Sequence, residues 1–259
     1  MQNSLDKIVV GNLNFSYGKN QILSGISFEL ERGDLLGLMG SNGSGKTTLI
    51  RSLLGFLNAS YDEYSLFGSK FKNLSISQIS KLISYVPQAH NLAFNYTLFE
   101  VVLMGKKPHF GGVFGFSKAD IKSVYAAMDM VGILQLKDRN FSELSGGQKQ
   151  LGLIARAIAQ NSEVMILDEP TSALDFSNQI LIWKVMNTIS KSGKIIIVCS
   201  HEPNHIFWFA TKVFAIKDGK SLAFGKNDII NEILLEQIYG ANYKICSLAN
   251  QKIIYYSIN

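Results

Sequence analysis

Gly40-Ser41-Asn42-Gly43-Ser44-Gly45-Lys46-Thr47 is the stretch that decides the fold. It satisfies G-x-x-x-x-G-K-[ST], in which glycines let a loop close around a phosphate with successive backbone N–H groups turned inward. Lys46 brings a compact charge to β- and γ-phosphates, and the Thr47 hydroxyl can ligate Mg²⁺. The flanks agree with the motif. Leu35-Leu36-Gly37-Leu38-Met39 before it is continuously apolar, and residues 47–57 after it are apolar at helical spacing. A strand buried on both faces, a loop and a helix open an α/β unit.

Similar buried strands are predicted at 164–167, 194–198 and 213–216, with a helix over 178–191 between two of them. That order requires a mainly parallel sheet. Residues 8–10 and 26–30 alternate, with a turn at 17–20, and predict an antiparallel β subdomain. Residues 89–160 are helical in pattern, with aromatic and glycine-rich loops at 94–116, and predict an inserted helical subdomain. A helix over 228–238, stopped by Tyr239-Gly240, and strand-like runs at 243–248 and 252–258 form a tail. The expected division is therefore a main domain over 1–225 and a tail over 226–259 packed on it.

At 259 residues the chain is one to two domains by the rule of about 150 residues each. Charged residues are 17%, against about 25% in an average globular chain, which excludes disorder as the main state. A membrane span needs about 20 consecutive apolar residues. The strongest run, Ile195–Cys199, is far shorter, and residues 1–7 carry no secretory signal pattern. Two cysteines make no disulfide framework, and Cys199 fits a small core residue. These features point to the cytoplasm. The net charge of +5 suits nucleic acid, an anionic membrane surface or a phosphorylated ligand without choosing among them.

Three further groups carry chemistry. Val164-Met165-Ile166-Leu167 ends in Asp168 and Glu169. Asp168 at the strand end can hold Mg²⁺ beside Thr47, and Glu169 can orient or deprotonate an attacking water. Alone, the pair also fits a solvated acidic strand end. Leu144-Ser145-Gly146-Gly147-Gln148 precedes an apolar helix; Ser145 is a natural N-cap, and the two glycines leave the terminus bare for an anion. His201-Glu202-Pro203-Asn204-His205 fits H-E-x-x-H, a zinc pattern. Pro203 belongs in a first helical turn, which leaves His201 outside the helix, so zinc geometry is not expected. His205, His90 and His109 are assigned to polar surface or local packing.

Together, residues 40–47, 144–148 and 164–169 resemble the motifs of ATP-binding cassette ATPases, over nearly the whole chain. Thr48 extends the phosphate loop. Glu143 and Ser172-Ala173-Leu174-Asp175 match too, the latter resembling the D-loop. Gln88 in Tyr85-Val86-Pro87-Gln88 resembles the Q-loop glutamine, a ligand of Mg²⁺ and the attacking water; His201 resembles the switch histidine at the γ-phosphate. Tyr17 resembles the aromatic that stacks on adenine. The resemblance implies ATP and Mg²⁺ as cofactors and a head-to-tail dimer of cassettes. In that dimer Ser145, Gly146, Gly147 and Gln148 of one chain close over the nucleotide held by Lys46 of the other, with Asp175 nearby.

No coiled coil, second cassette or spanning helix is present in the sequence, so repair, translation and fused-exporter types are set aside. A cassette docked on the cytoplasmic face of integral membrane permease subunits remains, served by an extracytoplasmic binding protein. Residues 96–109, 170–179 and 238–240 resemble importers of metal chelates: siderophores, haem and vitamin B12. Zinc or manganese importers and molybdate-type importers are the alternatives, and a soluble nucleic-acid-associated ATPase is the alternative of another class. Nucleic acid is not the expected partner. Phe94, Tyr96, Phe99 and Met104 are candidates for a permease-receiving pocket or, equally, for core. Residues 58–63 lack the family's usual proline and glycine, and Ala210-Thr211 stands where an aspartate usually follows alanine.

Overall fold

The structure is a computed structural model describing residues 4–88, 96–109, 115–240, 242–248 and 251–257. Phe94 and His90 lie outside the described residues. The chain separates into two compact units, residues 1–74 with 190–259, and residues 75–189.

In the first unit, Lys7–Tyr17 and Asn20–Glu31 pair antiparallel from Lys7 opposite Glu31 to Tyr17 opposite Asn20. Ile8, Val10, Leu13, Leu23, Ile26, Phe28 and Leu30 are buried, so the alternation seen in the sequence is a one-faced apolar sheet. Glu63–Leu66 and then Ser69–Lys70 extend this sheet. Residues 58–62, which lack the usual turn residues, lie against its first strand. Asn14 and Ser60 exchange both backbone hydrogen bonds, and Asn12 Nδ2 donates to Asp62 Oδ2 at 2.9 Å.

The second sheet of this unit is built on Leu35–Met39, which pairs parallel with Ile195–Cys199 on one side and Lys212–Lys217 on the other. Lys220–Lys226 adds antiparallel at the edge. Leu35–Met39 and Ile195–Cys199 are buried at every position, Cys199 included, as continuous apolar runs require. The helix after the phosphate loop, Lys46–Leu53, is shorter than the apolar spacing predicts. Gly55 adopts φ 73°, its N–H bonding Ser52 O and that of Phe56 bonding Arg51 O, a Schellman stop that leaves Phe56 exposed. The tail helix, Glu232–Tyr239, starts later than 228 because Asn231 supplies the N-cap; it ends at Gly240, φ 66°. Tyr243–Leu248 and Gln251–Tyr256 form an antiparallel hairpin.

The second unit holds the parallel pair Ile83–Val86 and Val164–Asp168 and most of the helices. Ile76–Leu82, Leu98–Leu103, Lys118–Met130 and Gly146–Gln160 each begin with a reciprocal capping box, from Ser75, Thr97, Ser117 and Ser145. Gly152 permits close packing, since a Cβ there would stand 2.7 Å from Leu98 Cδ1 and 3.2 Å from Phe141 Cε2. The helix Phe176–Lys191 buries Ile182, Trp183 and Met186. Among the described residues, no helix is long and apolar enough to cross a membrane.

The turn at Gly219 ties the first unit to its phosphate loop. Gly219 N–H donates to Ser44 O at 3.0 Å, and its carbonyl accepts from Ser24 N–H at 2.8 Å. At φ 73°, a Cβ would stand 2.0 Å from the Ile22 carbonyl oxygen. Gly219→Ala is therefore expected to cost about 1–3 kcal/mol, the scale of overpacking against rigid neighbours. A thermal midpoint indistinguishable from that of the unaltered chain would contradict this close approach.

Candidate nucleotide site

Strand Leu35–Met39 delivers loop 40–45 to the N-terminus of Lys46–Leu53. Gly40 is required by space: a Cβ would lie 2.4 Å from Ser44 Oγ and 2.6 Å from Ile216 O. Gly45 is required by backbone, with φ 107°, and by Leu23 Cδ2 at 2.9 Å from its would-be Cβ. Lys46 is buried, and its Nζ donates to Gly40 O at 2.7 Å and Ser41 O at 2.9 Å. The ammonium thus lies curled over the loop with its charge solvated by carbonyls.

Two features fit this loop to an anion. Ser44 Oγ is buried without a hydrogen-bond partner. The helix from Lys46 also lacks any side-chain cap, whereas the other described α-helices take one from Ser75, Thr97, Ser117, Ser145, Asp175, Glu202 or Asn231. Free N–H groups at a helix start and a nearby cation are an anion site. Ser41 and Thr48 are half-buried, and Asn42, Gly43 and Thr47 are exposed. Tyr17 is 51% exposed, its ring perpendicular to that of Phe15 with the centroids 4.8 Å apart.

In the same unit, His201 follows strand Ile195–Cys199 and is exposed. Glu202 caps the helix Pro203–Phe209, with Pro203 in its first turn. His201 therefore lies before the helix, while His205 is buried inside it against Trp208, and the two do not share a helical face. Burial pushes the His205 pKa down. Thr211, at the family's aspartate position, accepts Leu35 N–H through Oγ1 at 2.9 Å and so helps hold the first residue of the central strand.

In the second unit, Val164–Asp168 ends in a buried Asp168, followed by Glu169 at φ 50°. A left-handed glutamate carries backbone strain of about 1–3 kcal/mol, which is common where a side chain must be aimed. Ser172 holds the Glu169 carbonyl with its Oγ at 3.0 Å and its N–H at 3.3 Å. Gln88 Nε2 donates to Glu169 Oε2 at 2.8 Å. Two residues from distant parts of the sequence are thus joined at one carboxylate.

Ser145 Oγ accepts Gln148 N–H, and Gln148 Oε1 accepts Ser145 N–H at 3.1 Å. Gln148 closes the cap. Gly146 has open space where a Cβ would stand, but a Cβ on Gly147 would lie 3.0 Å from the Ala173 carbonyl oxygen, so the two glycines differ in their surroundings. Asp175 accepts Asn178 N–H at 2.9 Å and Nδ2 at 2.7 Å, and these bonds hold its carboxyl below the usual range. Ser172 and Ala173 lie in the stretch that resembles the D-loop, but the bonds by which Ser172 holds the Glu169 carbonyl and Asn178 holds Asp175 have no signal of their own in the sequence. Tyr96 is exposed; Phe99 and Met104 are half-buried, with the Phe99 ring 5.2 Å from that of Tyr125.

Comparison with known proteins agrees with this geometry. The ABC transporter family model matches residues 23–172. A probable iron chelatin transport ATP-binding protein of Helicobacter pylori is 36% identical over 214 residues, 82% of this chain and 84% of that protein. The molybdate import ATP-binding protein MolC of Haemophilus influenzae is 33% identical over 84% of this chain and 81% of its own length. A solved transporter described as of metal-chelate type, in an inward-facing conformation, superposes with a TM-score of 0.83 at 28% identity, covering 97% of each chain. With the phosphate loop, the acidic strand end and the capped Ser145 helix all inside or beside the matched segment, the chain belongs to the ABC transporter family, as an α/β P-loop cassette and an ATPase subunit.

Proposed function

We propose that the chain is the ATP-hydrolysing subunit of a binding-protein-dependent importer for iron chelates or related metal chelates. The observation that carries the hydrolytic part is the Gln88–Glu169 hydrogen bond, which keeps a carboxylate aimed at the end of the acidic strand. Likeness to the iron chelatin protein and to the metal-chelate transporter supports the substrate class.

In this reading the loop amides of 40–47 and Lys46 take the β- and γ-phosphates, Lys46 exchanging two carbonyls for phosphate oxygens. Thr48 extends the phosphate contacts and Tyr17 stacks on adenine. Thr47, Asp168 and Gln88 are hard oxygen donors suited to Mg²⁺, which supplies charge neutralisation at the phosphate oxygens. Glu169 takes a proton from water as its oxygen bonds the γ-phosphorus; the bond to the bridging oxygen breaks, and ADP and phosphate leave. His201 contacts the γ-phosphate.

A second copy of the chain contributes Ser145, Gly146, Gly147 and Gln148 over the nucleotide, with Asp175 beside them. The chain sits peripherally on the cytoplasmic face of the membrane against permease subunits, with an extracytoplasmic binding protein delivering the substrate. Tyr96, and Phe94 beyond the described residues, are the aromatics offered to the permease. The expected division into 1–225 and a 226–259 tail, with 89–160 inserted, remains part of this proposal.

Glu169→Gln should keep Mg-ATP affinity and lower hydrolysis about 10²–10⁴-fold, the scale of a positioned general base; near-normal turnover would remove Glu169 from the chemistry. Lys46→Ala should instead weaken Mg-ATP binding, and unchanged affinity by calorimetry would contradict the phosphate-loop role. With the permease and binding protein reconstituted, a ferric-chelate-loaded binding protein should stimulate hydrolysis. Stimulation by molybdate alone would replace the iron-chelate reading with an oxyanion one, for which the MolC likeness is the observation.

A further inference from the structure

The first unit contains an arrangement around His201 that the hydrolytic scheme does not use. Asn204, in the first turn of helix Pro203–Phe209, makes a two-point contact with the tail hairpin fifty residues away. Its Nδ2 donates to Ile254 O at 2.9 Å, and its Oδ1 accepts Ile254 N–H at 2.7 Å. A side-chain carboxamide here pairs with a strand residue as a neighbouring strand would. Ile254 is buried, so these bonds satisfy backbone groups that would otherwise be costly to leave unmade. Trp208, one helical turn on, donates Nε1–H to Lys252 O at 2.7 Å, and Lys252 Nζ lies 5.9 Å from the Phe207 ring centroid. The hairpin therefore holds one side of this seven-residue helix at two backbone positions.

The contact continues toward His201. Asn204 Nδ2 also donates to Glu202 Oε1 at 3.3 Å, and that same oxygen accepts Asn204 N–H at 3.3 Å. Glu202 N–H in turn donates to Ser200 Oγ at 3.1 Å. His201 stands between Ser200 and Glu202, exposed, with both sequence neighbours inside this chain of bonds. At the far end, Glu232 on the tail helix accepts Ile245 N–H at 3.0 Å and Lys244 Nζ at 2.9 Å, fixing the hairpin's first strand as well.

We infer that Asn204 is a positioning residue for His201, and that the C-terminal hairpin is the brace through which it acts. A helix of two turns has little rigidity of its own. The direction in which it presents the preceding histidine is set by what holds its first turn, and here that is Ile254. The inference rests on the γ-phosphate role proposed for His201. It adds that the tail takes part in hydrolysis through bonds to the residues that follow the histidine rather than by touching nucleotide.

The test uses the full-length chain, with steady-state Mg-ATP hydrolysis, calorimetric Mg-ATP affinity, and a double-mutant cycle between Asn204 and His201. Asn204→Ala is expected to lower kcat about 10–100-fold, the scale of a displaced catalytic group, with Mg-ATP affinity unchanged. In a His201→Ala background it should lower kcat no further, because two groups acting as one unit are not additive. Independent, multiplying losses would overturn the inference, as would Asn204→Ala with normal kcat beside an impaired His201→Ala. A joint fall in affinity and kcat would mark general damage and overturn it too. Normal turnover of His201→Ala would instead show that the γ-phosphate role itself fails, and the inference with it. Should Asn204→Ala not fold, Trp208→Phe removes the donated N–H with the five-membered part of the indole and keeps a six-membered aromatic ring. It should show the same kcat-only loss at smaller amplitude, absent in the His201→Ala background; an unchanged kcat would overturn the inference.

Discussion

The constraint on which the rest depends is an uncapped helix. Among the described α-helices, the one starting at Lys46 has no side chain bonding its first-turn N–H groups, and its N-cap is a left-handed glycine. Elsewhere the chain spends a polar residue on each start, four times in a full capping box. A cap typically contributes about 1 kcal/mol, so leaving it out at one helix is a cost. That cost becomes a binding term once an anion arrives, because donors already aimed at a point need no reorganisation.

Lys46 completes the same logic. An ammonium in a buried position must be hydrogen-bonded, and the Gly40 and Ser41 carbonyls do this. Both acceptors belong to the loop that the anion would enter, so the interaction that holds the loop is the one a phosphate would replace. The Gln88–Glu169 bond is of the same kind in the other unit: a neutral donor occupies a carboxylate oxygen that, in the proposed scheme, a water would reach. In both places the contacts involve the groups proposed for chemistry, so in that scheme binding would exchange hydrogen bonds rather than create them in apolar surroundings.

The strands at the centre were legible because burial on both faces leaves no room for polar letters, as at Leu35–Met39 and Ile195–Cys199. The phosphate loop was legible because few residue types fit a crowded turn, and Gly40 against Ile216 shows that crowding directly. Helix ends were less so. Apolar spacing carried the helix after the loop to 57, whereas Gly55 ends it at Leu53 through bonds to carbonyls of the preceding turn. Gln148 was visible as a letter in a motif; its bond to Ser145 N–H comes from the S-x-x-Q spacing, which is a cap whether or not an anion is near. Pairings between distant segments, such as Gln88 with Glu169, have no local signature, since nothing in either segment's periodicity names the other.

His201-Glu202-Pro203-Asn204-His205 shows how backbone decides what letters mean. On an uninterrupted helix the two histidines would share a face and suit a metal. Pro203 lacks an N–H and favours the first turn, so the helix begins after His201 and the pattern splits into separate tasks. Glu202 caps, Asn204 pairs with Ile254, and His205 goes into the core, where burial favours its neutral form. His201 faces solvent just after a buried strand, which is where a parallel sheet presents residues to a ligand. The proline does not merely break a zinc pattern. By moving the helix start past His201, it leaves that side chain on the irregular segment between strand and helix, flanked by Ser200 and Glu202, which are bonded to each other.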